Sequence, residues 1–463
     1  MAFVTGDRIL ETITATFGTG TPTLAGAVSG YRAFSAVATA NGDRFLYTIA
    51  AGTNWEVGIG VRLSATTFTR SEILSSSNSN ALVNFPAGTY EAWIDDPAKA
   101  ALQAISPQPA ANILLNSRFE VDQDKQGTPA TVGNTASAGY MADQWLVLEN
   151  AANIGCSSVA GTTQGTMPIA NQFPKALLIS TTTGGSIGAS EIVEIFQPVE
   201  GYRIAKLGYS AAGAATSTIC FWVYATITGQ ATFWINNGAT DRSFVKSFTI
   251  NAALTWEFKT IKVPGDVTGT WPTGSTLGAN VGISAACGST FNGTDGIWQA
   301  GEKHSVSGQT NFLATTGNLF SVTGFCWFPG DLILPEHLSG TFGRAYGEDL
   351  PLCERYYLKI PTVNGSAISV GSATGTSGAW AMVIPLPTEM ASNPTASLSS
   401  NSHFNIFSAA VNSGITSVTW STTRRALIVD TVTISGSGMT NGHAAVLYSV
   451  NASGYVQANA RLI

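Results

Sequence analysis

The stretch of sequence that decides the fold is residues 219–263, which read ICFWVYATITGQATFWINNGATDRSFVKSFTINAALTWEFKTIKV. It contains four runs rich in aromatic and β-branched residues, at 219–225, 231–235, 243–250 and 256–263. Short runs of this kind, repeated about every 8 to 15 residues with turn residues between them, are typical of strands in a sandwich or barrel. The stretch therefore predicts consecutive short strands.

The rest of the chain follows the same pattern. Similar runs stand at 45–50 and 426–434, and no long amphipathic helical pattern occurs in the sequence. In the first hundred residues we expect Trp55 and Trp93 to fill a small apolar core. The predicted fold class is all-β, built from tandem β-sandwich or jelly-roll domains.

One segment has a helical pattern. Asp95 and Asp96 suit a helix N-terminus, Pro97 suits its first turn, and an apolar stripe with helical spacing follows over 98–105. The proline-rich residues 106–109 end it. Such a short helix either docks on a neighbouring domain or packs against copies of itself in a three-helix stalk, and both interpretations remain open.

Composition changes along the chain define four segments. Residues 347–357, GEDLPLCERYY, have a mildly helical pattern, and only five charged residues follow between 360 and the end of the sequence. The predicted organisation is a β domain at 1–98, a helical and proline-rich linker at 99–110, a jelly roll at 111–358 and a C-terminal β-sandwich at 359–463.

The composition also excludes several classes of protein. Charged residues make up 11% of the chain, against a usual share of about 25%, and the net charge is −6. An aromatic content of 10% argues against disorder. The absence of any Lys/Arg run argues against nucleic-acid binding, and no apolar stretch is long enough for membrane insertion. The start, MAFVTGDRIL, lacks the features of an export signal, so we expect assembly in a cytoplasm.

The cysteines favour the same compartment. They are scattered, odd in number and never spaced as CxxC, so we expect buried apolar side chains rather than disulfides or a zinc site: Cys156, Cys220, Cys287, Cys326 and Cys353.

Four ordered motifs in the first domain carry a resemblance. They are TFGTGT at 16–21, LAGAV at 24–28, WEVG at 55–58 and RSEILSSSN at 70–78. The series resembles the N-terminal module of bacteriophage and prophage tail fibres and minor tail proteins, which attaches the fibre to the virion. The resemblance implies that residues 1–98 bind a phage baseplate, tail or head-collar protein.

The later domains resemble other parts of the same fibres. The second resembles their jelly-roll domain, itself similar to carbohydrate-binding modules, through NILLNSRFE at 112–120, YMADQW at 140–145, Gln197 and LCERYY at 352–357. Those relatives have Arg where this chain has Gln144, which puts an inherited salt bridge in doubt. MVIPLP at 382–387 and ANARL at 458–462 resemble the fibre tip.

Catalytic motifs are missing from the sequence. It contains no nucleophile elbow, HExxH, P-loop or dinucleotide fingerprint, and its four histidines are far apart: His304, His337, His403 and His443. We therefore expect no enzymatic activity and no cofactor.

The sequence offers one candidate metal site, a structural calcium at Glu120, Asp122 and Asp124. Asp122 and Asp124 would share a face of a strand, whereas Glu191 and Glu194 would not. The alternative is that the acids are solvated loop residues.

Aromatic side chains are the remaining resource for binding sugars, which stack on flat rings while polar groups satisfy their hydroxyls. Trp222 and Trp234 are further aromatic residues of the second domain, and alternation places Trp222 inside the sandwich. The candidate glycan-binding residues are Trp271, Trp298, Trp380, Trp420, Tyr448 and Tyr455.

These features together favour a non-enzymatic, parallel homotrimeric fibre in the virion that binds host-surface polysaccharide. Low charge suits subunits packed about a three-fold axis. Two alternatives remain: a head or collar fibre or minor decoration protein that does not select the host, and a capsule depolymerase tail spike.

Overall fold

A computed structural model describes residues 4–14, 16–94, 111–132, 137–167, 172–332, 334, 336–375, 378–380, 382–409 and 411–462. The chain forms two compact units. The first comprises Met1–Gln108 with Leu332–Ser339, and the second comprises Pro109–Asp331 with Gly340–Ile463. The predicted helix at 98–105 and the linker at 99–110 lie outside the described residues.

The first unit is a five-stranded antiparallel sheet in the order β1-β5-β2-β3-β4. Its strands are β1 (Ile9–Ile13), β2 (Arg44–Ala51), β3 (Asn54–Arg62), β4 (Phe68–Ser76) and β5 (Tyr90–Ile94). Phe34, Phe45 and Phe68 pack together in its core. The expectation for Trp55 and Trp93 is wrong, because Trp55 is 38% exposed and Trp93 only half-buried, while smaller aromatic rings fill the core.

Arg70 connects the motifs of this unit. Its guanidinium forms an ion pair of 3.1 Å with Glu56 and donates to the carbonyls of Gly18, Gly20 and Val83. Because both partners of the ion pair are buried, the pair is stable only with these extra hydrogen bonds. The motifs at 16–21, 55–58 and 70–78 thus form one network that holds the module together.

The second unit begins with a β-sandwich. In chain order its strands are β6 (Ala130–Val132), β7 (Ser137–Ala142), β8 (Trp145–Glu149), β9 (Gly155–Thr162), β10 (Lys175–Thr183), β11 (Ile192–Glu200), β12 (Ser217–Ala225), β13 (Gly229–Asn237), β14 (Arg242–Ile250), β15 (Glu257–Val263), β16 (Leu277–Cys287), β17 (Asn292–Gly293), β18 (Trp298–Ala300), β19 (Ser305–Val306) and β20 (Leu319–Pro329). The short strands β17 and β19 pair in parallel.

Two sheets enclose the main core of this sandwich. One has the order β15-β12-β20-β10-β9-β6 and the other β18-β14-β13-β16-β11-β8-β7. The stretch 219–263 supplies strands to both, because β12 and β15 pair in the first sheet while β13 and β14 form a hairpin in the second. The four predicted strands are confirmed, and their alternation between sheets makes the sandwich.

Both sides of β12 are buried. Phe221 and Val223 face the core between the sheets, and Trp222 and Tyr224 face the opposite side, where they pack with Trp256. Trp222 is fully buried, as expected, but it lies in a separate apolar cluster with Met167 and Phe173 rather than in the core between the sheets. The five cysteines are free and buried, as predicted.

The last part of the second unit contains ten strands: β21 (Tyr357–Pro361), β22 (Ala367–Ala373), β23 (Gly378–Trp380), β24 (Met382–Pro385), β25 (Thr395–Leu398), β26 (Phe404–Ser408), β27 (Val411–Thr423), β28 (Ala426–Ile434), β29 (Ala444–Ser449) and β30 (Tyr455–Asn459). A seven-stranded sheet has the order β23-β22-β29-β26-β27-β28-β24, and β23 also pairs with β28. That extra pairing closes the sheet into a small barrel, beside the three-stranded sheet β21-β30-β25.

Helical structure is short. Among the described residues, the α-helices are α1 (Gly201–Ile204) and α2 (Tyr346–Glu354), and the 3₁₀ segments are Phe34–Ala36, Ala205–Leu207, Ser289–Phe291, Glu336–Thr341 and Asn401–His403. Helix α2 confirms the helical pattern at 347–357. The predicted boundary between 358 and 359 falls inside β21, so the jelly roll and the C-terminal domain are continuous in one compact unit.

Candidate functional site

The motif residues of the jelly roll hold its entry segment in place. The amide of Gln197 both donates to and accepts from the backbone of Leu115, at 2.9 Å each, and the Trp145 indole donates to the Leu115 carbonyl. The side chain of Asn116 exchanges two hydrogen bonds with the backbone of Val121. These buried side chains replace the sheet hydrogen bonds that an irregular segment lacks, so their role is structural.

The carboxylate of Asp143, the residue before Gln144, is held by Gln123. Its carboxylate accepts from the backbone N–H and the side-chain amide of Gln123, at 3.0 and 2.6 Å, and forms no ion pair among the described residues. Burial raises the pKa of Asp143 to about 6. A hydrogen-bonded amide thus satisfies the acid of this motif.

A cation fixes the junction between the jelly roll and the C-terminal domain. The guanidinium carbon of Arg461 lies 3.7 Å from the centroid of the Tyr357 ring and 4.2 Å from that of Tyr140. Its Nη1 donates to Asp124 at 3.1 Å. Because Arg461 is almost fully buried, this contact orders the surface beside it.

A groove opens beside this junction, with a volume of about 590 Å³. We call it the junction groove, and its lining residues are Glu120, Asp122, Gln123, Gln126, Lys175, Tyr346, Leu350, Glu354, Leu358, Lys359 and Pro361. Tyr346, Leu350 and Glu354 are spaced by four residues along α2, which places them on one helical face. The volume lies within the range of about 300 to 1,000 Å³ typical of small-ligand sites.

The groove combines an aromatic ring with polar side chains that have no side-chain partner among the described residues. The Tyr346 side chain is 50% exposed. Within the described part of the chain, Gln126 forms no side-chain hydrogen bond, and Lys175 and Glu354 form no ion pair. Burial raises the pKa of Glu354. Ring, amide, ammonium and carboxyl together suit a ligand with both apolar and hydroxyl surfaces.

The acids of the predicted calcium site have protein partners instead. Glu120 pairs with Arg118 at 3.1 Å, and Asp124 binds Arg461. Asp122 accepts from the backbone N–H groups of Lys125 and Gly127, so it closes a turn rather than lying on a strand. Among the described residues no group of three or more His, Cys, Asp or Glu side chains is placed to hold a metal ion. The structure does not support the calcium site.

Of the predicted tryptophan platforms of the sandwich, Trp271 lies in the core and Trp298 packs against it. Trp271 is 7% exposed, its indole N–H donates to Asp266 at 3.0 Å, and its ring packs against Tyr209 and Trp298. Trp298 is half-buried against Phe244, and its indole N–H is also occupied. Trp271 does not offer a platform for a sugar, because its ring is buried and its indole N–H already donates to Asp266.

The aromatic candidates of the C-terminal domain have different surroundings. Trp420 packs half-buried against two apolar clusters, and the Tyr448 hydroxyl donates to Asn412 at 2.6 Å. The ammonium of Lys359 lies 4.4 Å from the centroid of the Tyr455 ring and covers one face. The side chain of Trp380 lies outside the described residues. Among the described residues, Trp420, Tyr448 and Tyr455 make no ring or hydrogen-bond contact with one another.

A buried charged cluster was missed by the sequence analysis. The ring nitrogens of His304 lie 3.0 Å from Glu194 and 3.2 Å from Glu302, and the ring packs against Trp234. Burial lowers the pKa of His304, but the two carboxylates outweigh it and raise the value to about 9. The cluster therefore holds a protonated histidine between Glu194 on β11 and Glu302, which lies in the segment before β19.

The groove residues Tyr346, Gln126 and Glu354 were missed as well. Part of the signal was present, because a helix over 347–357 puts positions 350 and 354 on one face, and the observed helix adds Tyr346 to that face because it begins one residue earlier. What that face meets depends on the distant segment 120–126, which pattern analysis does not reveal. The described residues contain no helix that is both long and apolar enough to span a membrane.

No family model matches the sequence, and no curated protein matches it. Among solved structures, the enzymatically active domain of tailspike protein 4 from bacteriophage CBA120 aligns with 48% of this chain, at 9% identity and a TM-score of 0.26; the chain spans only 22% of that domain's length. A putative sugar binding protein from Bacteroides thetaiotaomicron aligns with 47% of this chain and 99% of its own, at 11% identity and a TM-score of 0.27. A family 11 carbohydrate-binding module from Clostridium thermocellum aligns with 44% and 98%, at 10% identity and a TM-score of 0.21.

Proposed function

We propose that the protein is a structural fibre protein of a phage virion that attaches through residues 1–98 and binds host-surface glycan without cleaving it. The observation that carries the glycan-binding part is the junction groove, where the exposed ring of Tyr346 stands beside unpaired polar side chains. The resemblance of the N-terminal motifs supports the virion part.

The groove offers each kind of contact that a sugar needs. The Tyr346 ring suits the C–H face of a pyranose, and Leu350 and Leu358 add apolar surface. Gln126 both donates and accepts hydrogen bonds, while Lys175 donates to hydroxyl oxygens. Because the site lies on a sheet, a helix and a fixed junction, little order has to be gained on binding.

The state of the groove acids supports a role without catalysis. A glycosidase generally uses two carboxyl groups that flank the scissile bond. Here Glu120 is paired with Arg118, and both oxygens of Asp122 accept backbone hydrogen bonds. Glu354 remains as a single carboxyl without an ion-pair partner in the described part of the chain, so we propose binding rather than hydrolysis.

The first unit supports attachment. The network around Arg70 joins its motifs into one folded module, as a docking domain requires. A homotrimer with three grooves would convert weak individual contacts into firm adhesion.

The experiment that tests this function uses the full chain and polysaccharide extracted from the host surface. Retention of the protein by the immobilised polysaccharide, with no release of reducing ends over hours, is the expected result. Antibody labelling of virions should place the protein on a fibre. Failure of retention contradicts the glycan-binding part, and steady release of reducing ends contradicts the non-enzymatic part.

A further inference from the structure

A second cleft lies in the same unit, on the other side of α2. Its volume is about 320 Å³, and we call it the cationic cleft. Its lining residues are Asn112, Glu200, Tyr202, Arg203, Lys206, Leu352, Arg355 and Tyr356. Nothing in the junction groove uses these residues.

Three cations and one anion line this cleft, and the anion is already neutralised. Glu200 accepts from the Arg355 guanidinium at 3.0 and 2.5 Å and from the Tyr356 hydroxyl at 2.7 Å. The excess positive charge therefore belongs to Arg203 and Lys206. Behind them Arg344 pairs with Asp349 at 3.5 Å.

Backbone carbonyls hold the two excess cations in position. Arg203 donates through Nε to Ile113 at 2.6 Å and through Nη2 to Asn112 at 3.1 Å, and Lys206 donates to Ala111 at 2.9 Å. These acceptors are neutral, so they orient the cations without cancelling their charge. Burial, together with the positive charges of Arg203 and Arg344, lowers the pKa of Lys206 to about 8.

Each cation keeps donors for a ligand. An ammonium has three N–H donors, and Lys206 uses one of them. Within the described residues Nη1 of Arg203 has no hydrogen-bond partner. An anion placed between them would satisfy both groups and reduce their mutual repulsion.

The rim of the cleft adds a feature that a bare inorganic ion would not use. The Tyr202 side chain is 63% exposed, and Leu352 provides apolar surface. A sugar ring that carries a carboxylate matches both parts of the cleft. Its carboxylate suits the cations, and the C–H face of the ring suits the tyrosine.

We propose that the cationic cleft binds the carboxylate of an acidic sugar residue, so that the glycan recognised by the protein is an acidic polysaccharide. The carboxylate lies between Arg203 and Lys206, and the sugar ring packs on Tyr202. This inference rests on the proposed glycan binding and names its substrate class.

The test compares trigalacturonate with its neutral methyl ester, measured by titration calorimetry on the full chain at low ionic strength, where charge contacts are least screened. We expect the acid to bind about tenfold more tightly than the ester. Lys206→Met should reduce that difference, because Arg203 alone then faces the carboxylate, while leaving the weak binding of the ester. Tyr202→Ala should weaken both ligands equally, since it removes the ring surface and no charge.

Lys262→Gln is the matched control, because it removes an exposed lysine on β15 and should leave both affinities unchanged. Equal affinity for acid and ester, or no binding of either, overturns the proposal. Displacement of trigalacturonate by millimolar inorganic phosphate would assign the cleft to phosphate and overturn the carboxylate. Retention on host polysaccharide through the junction groove is measured separately, so failure of the proposed glycan binding is distinguished from failure of the carboxylate site.

Discussion

Arg461 stacks on Tyr357, with its guanidinium carbon 3.7 Å from the ring centroid, and its contact with the Tyr140 ring on β7 joins this segment to the jelly roll. Two of the guanidinium nitrogens, Nε and Nη2, are buried without a hydrogen-bond acceptor among the described residues. The faces of the Tyr357 and Tyr140 rings are their main compensation. Arg461 therefore contributes to the stability of the junction.

Replacing Arg461 by Ala should lower the free energy of unfolding by about 2 to 4 kcal/mol, because it removes two cation–π contacts and the ion pair with Asp124. Chemical denaturation measures the change. Arg425→Ala is the control, since that side chain is 79% exposed and should alter stability by less than about 1 kcal/mol. Equal effects of the two substitutions would contradict the role given to Arg461.

The pairing of His304 with Glu194 predicts a pH dependence of stability. The folded pKa of about 9 lies above the ordinary value of 6.5, so the stabilisation is fully present below pH 6.5 and is lost as pH rises through 9. Unfolding measured between pH 6 and 10 should show this loss. Glu194→Gln should flatten the dependence, and an unchanged profile would contradict the assignment.

The burial of Glu149 predicts a second pH dependence of stability, over a lower pH range. Neither carboxylate oxygen has a hydrogen-bond partner in the described part of the chain, and burial raises the pKa to about 7. A carboxyl with a raised folded pKa stabilises below its unfolded value of 4.5 and loses this contribution as pH rises through 7. Glu149→Gln should therefore be the more stable protein at pH 8.5, by about 1 kcal/mol or more, and lose this advantage near pH 5. Equal stability at both pH values would contradict the burial of this charge.

The proposed trimer is tested by light scattering coupled to size exclusion. The exposed face of β27 and β28, which includes Asp430 hydrogen-bonded to Ser421, carries hydroxyl pairs such as Thr419 with Thr431, at 2.6 Å, which suit a lateral contact of low desolvation cost. A mass of three times 48.1 kDa is expected. A monomer that persists at micromolar concentration would contradict the fibre assembly.

The strands were predictable from sequence because their signal is local. The run at 426–434 coincides with β28, and the alternation of β12 follows from its aromatic pattern. The barrel closure between β23 and β28 was not predictable, because it depends on a pairing between segments about fifty residues apart.

The site was harder to predict for a physical reason. Trp271 looked suitable because aromatic rings bind sugars, but the same rings fill cores, and only the contacts with Tyr209 and Trp298 distinguish the two roles. Tyr346 was not predicted as a binding residue, because that role depends on the exposure of its ring, which its neighbours in sequence do not determine. Charged clusters such as His304 with Glu194 join residues more than one hundred positions apart.

The most direct test of glycan binding at the junction groove is the affinity of Tyr346→Ala for host-surface polysaccharide, with Tyr31→Ala as the control. Tyr31 is similarly exposed, at 45%, but lies in the first unit. Loss of the stacking ring at 346 should raise the dissociation constant about tenfold, whereas the control should match the unaltered protein. Unchanged affinity of Tyr346→Ala, with its folded circular-dichroism spectrum intact, would contradict the assignment of the groove.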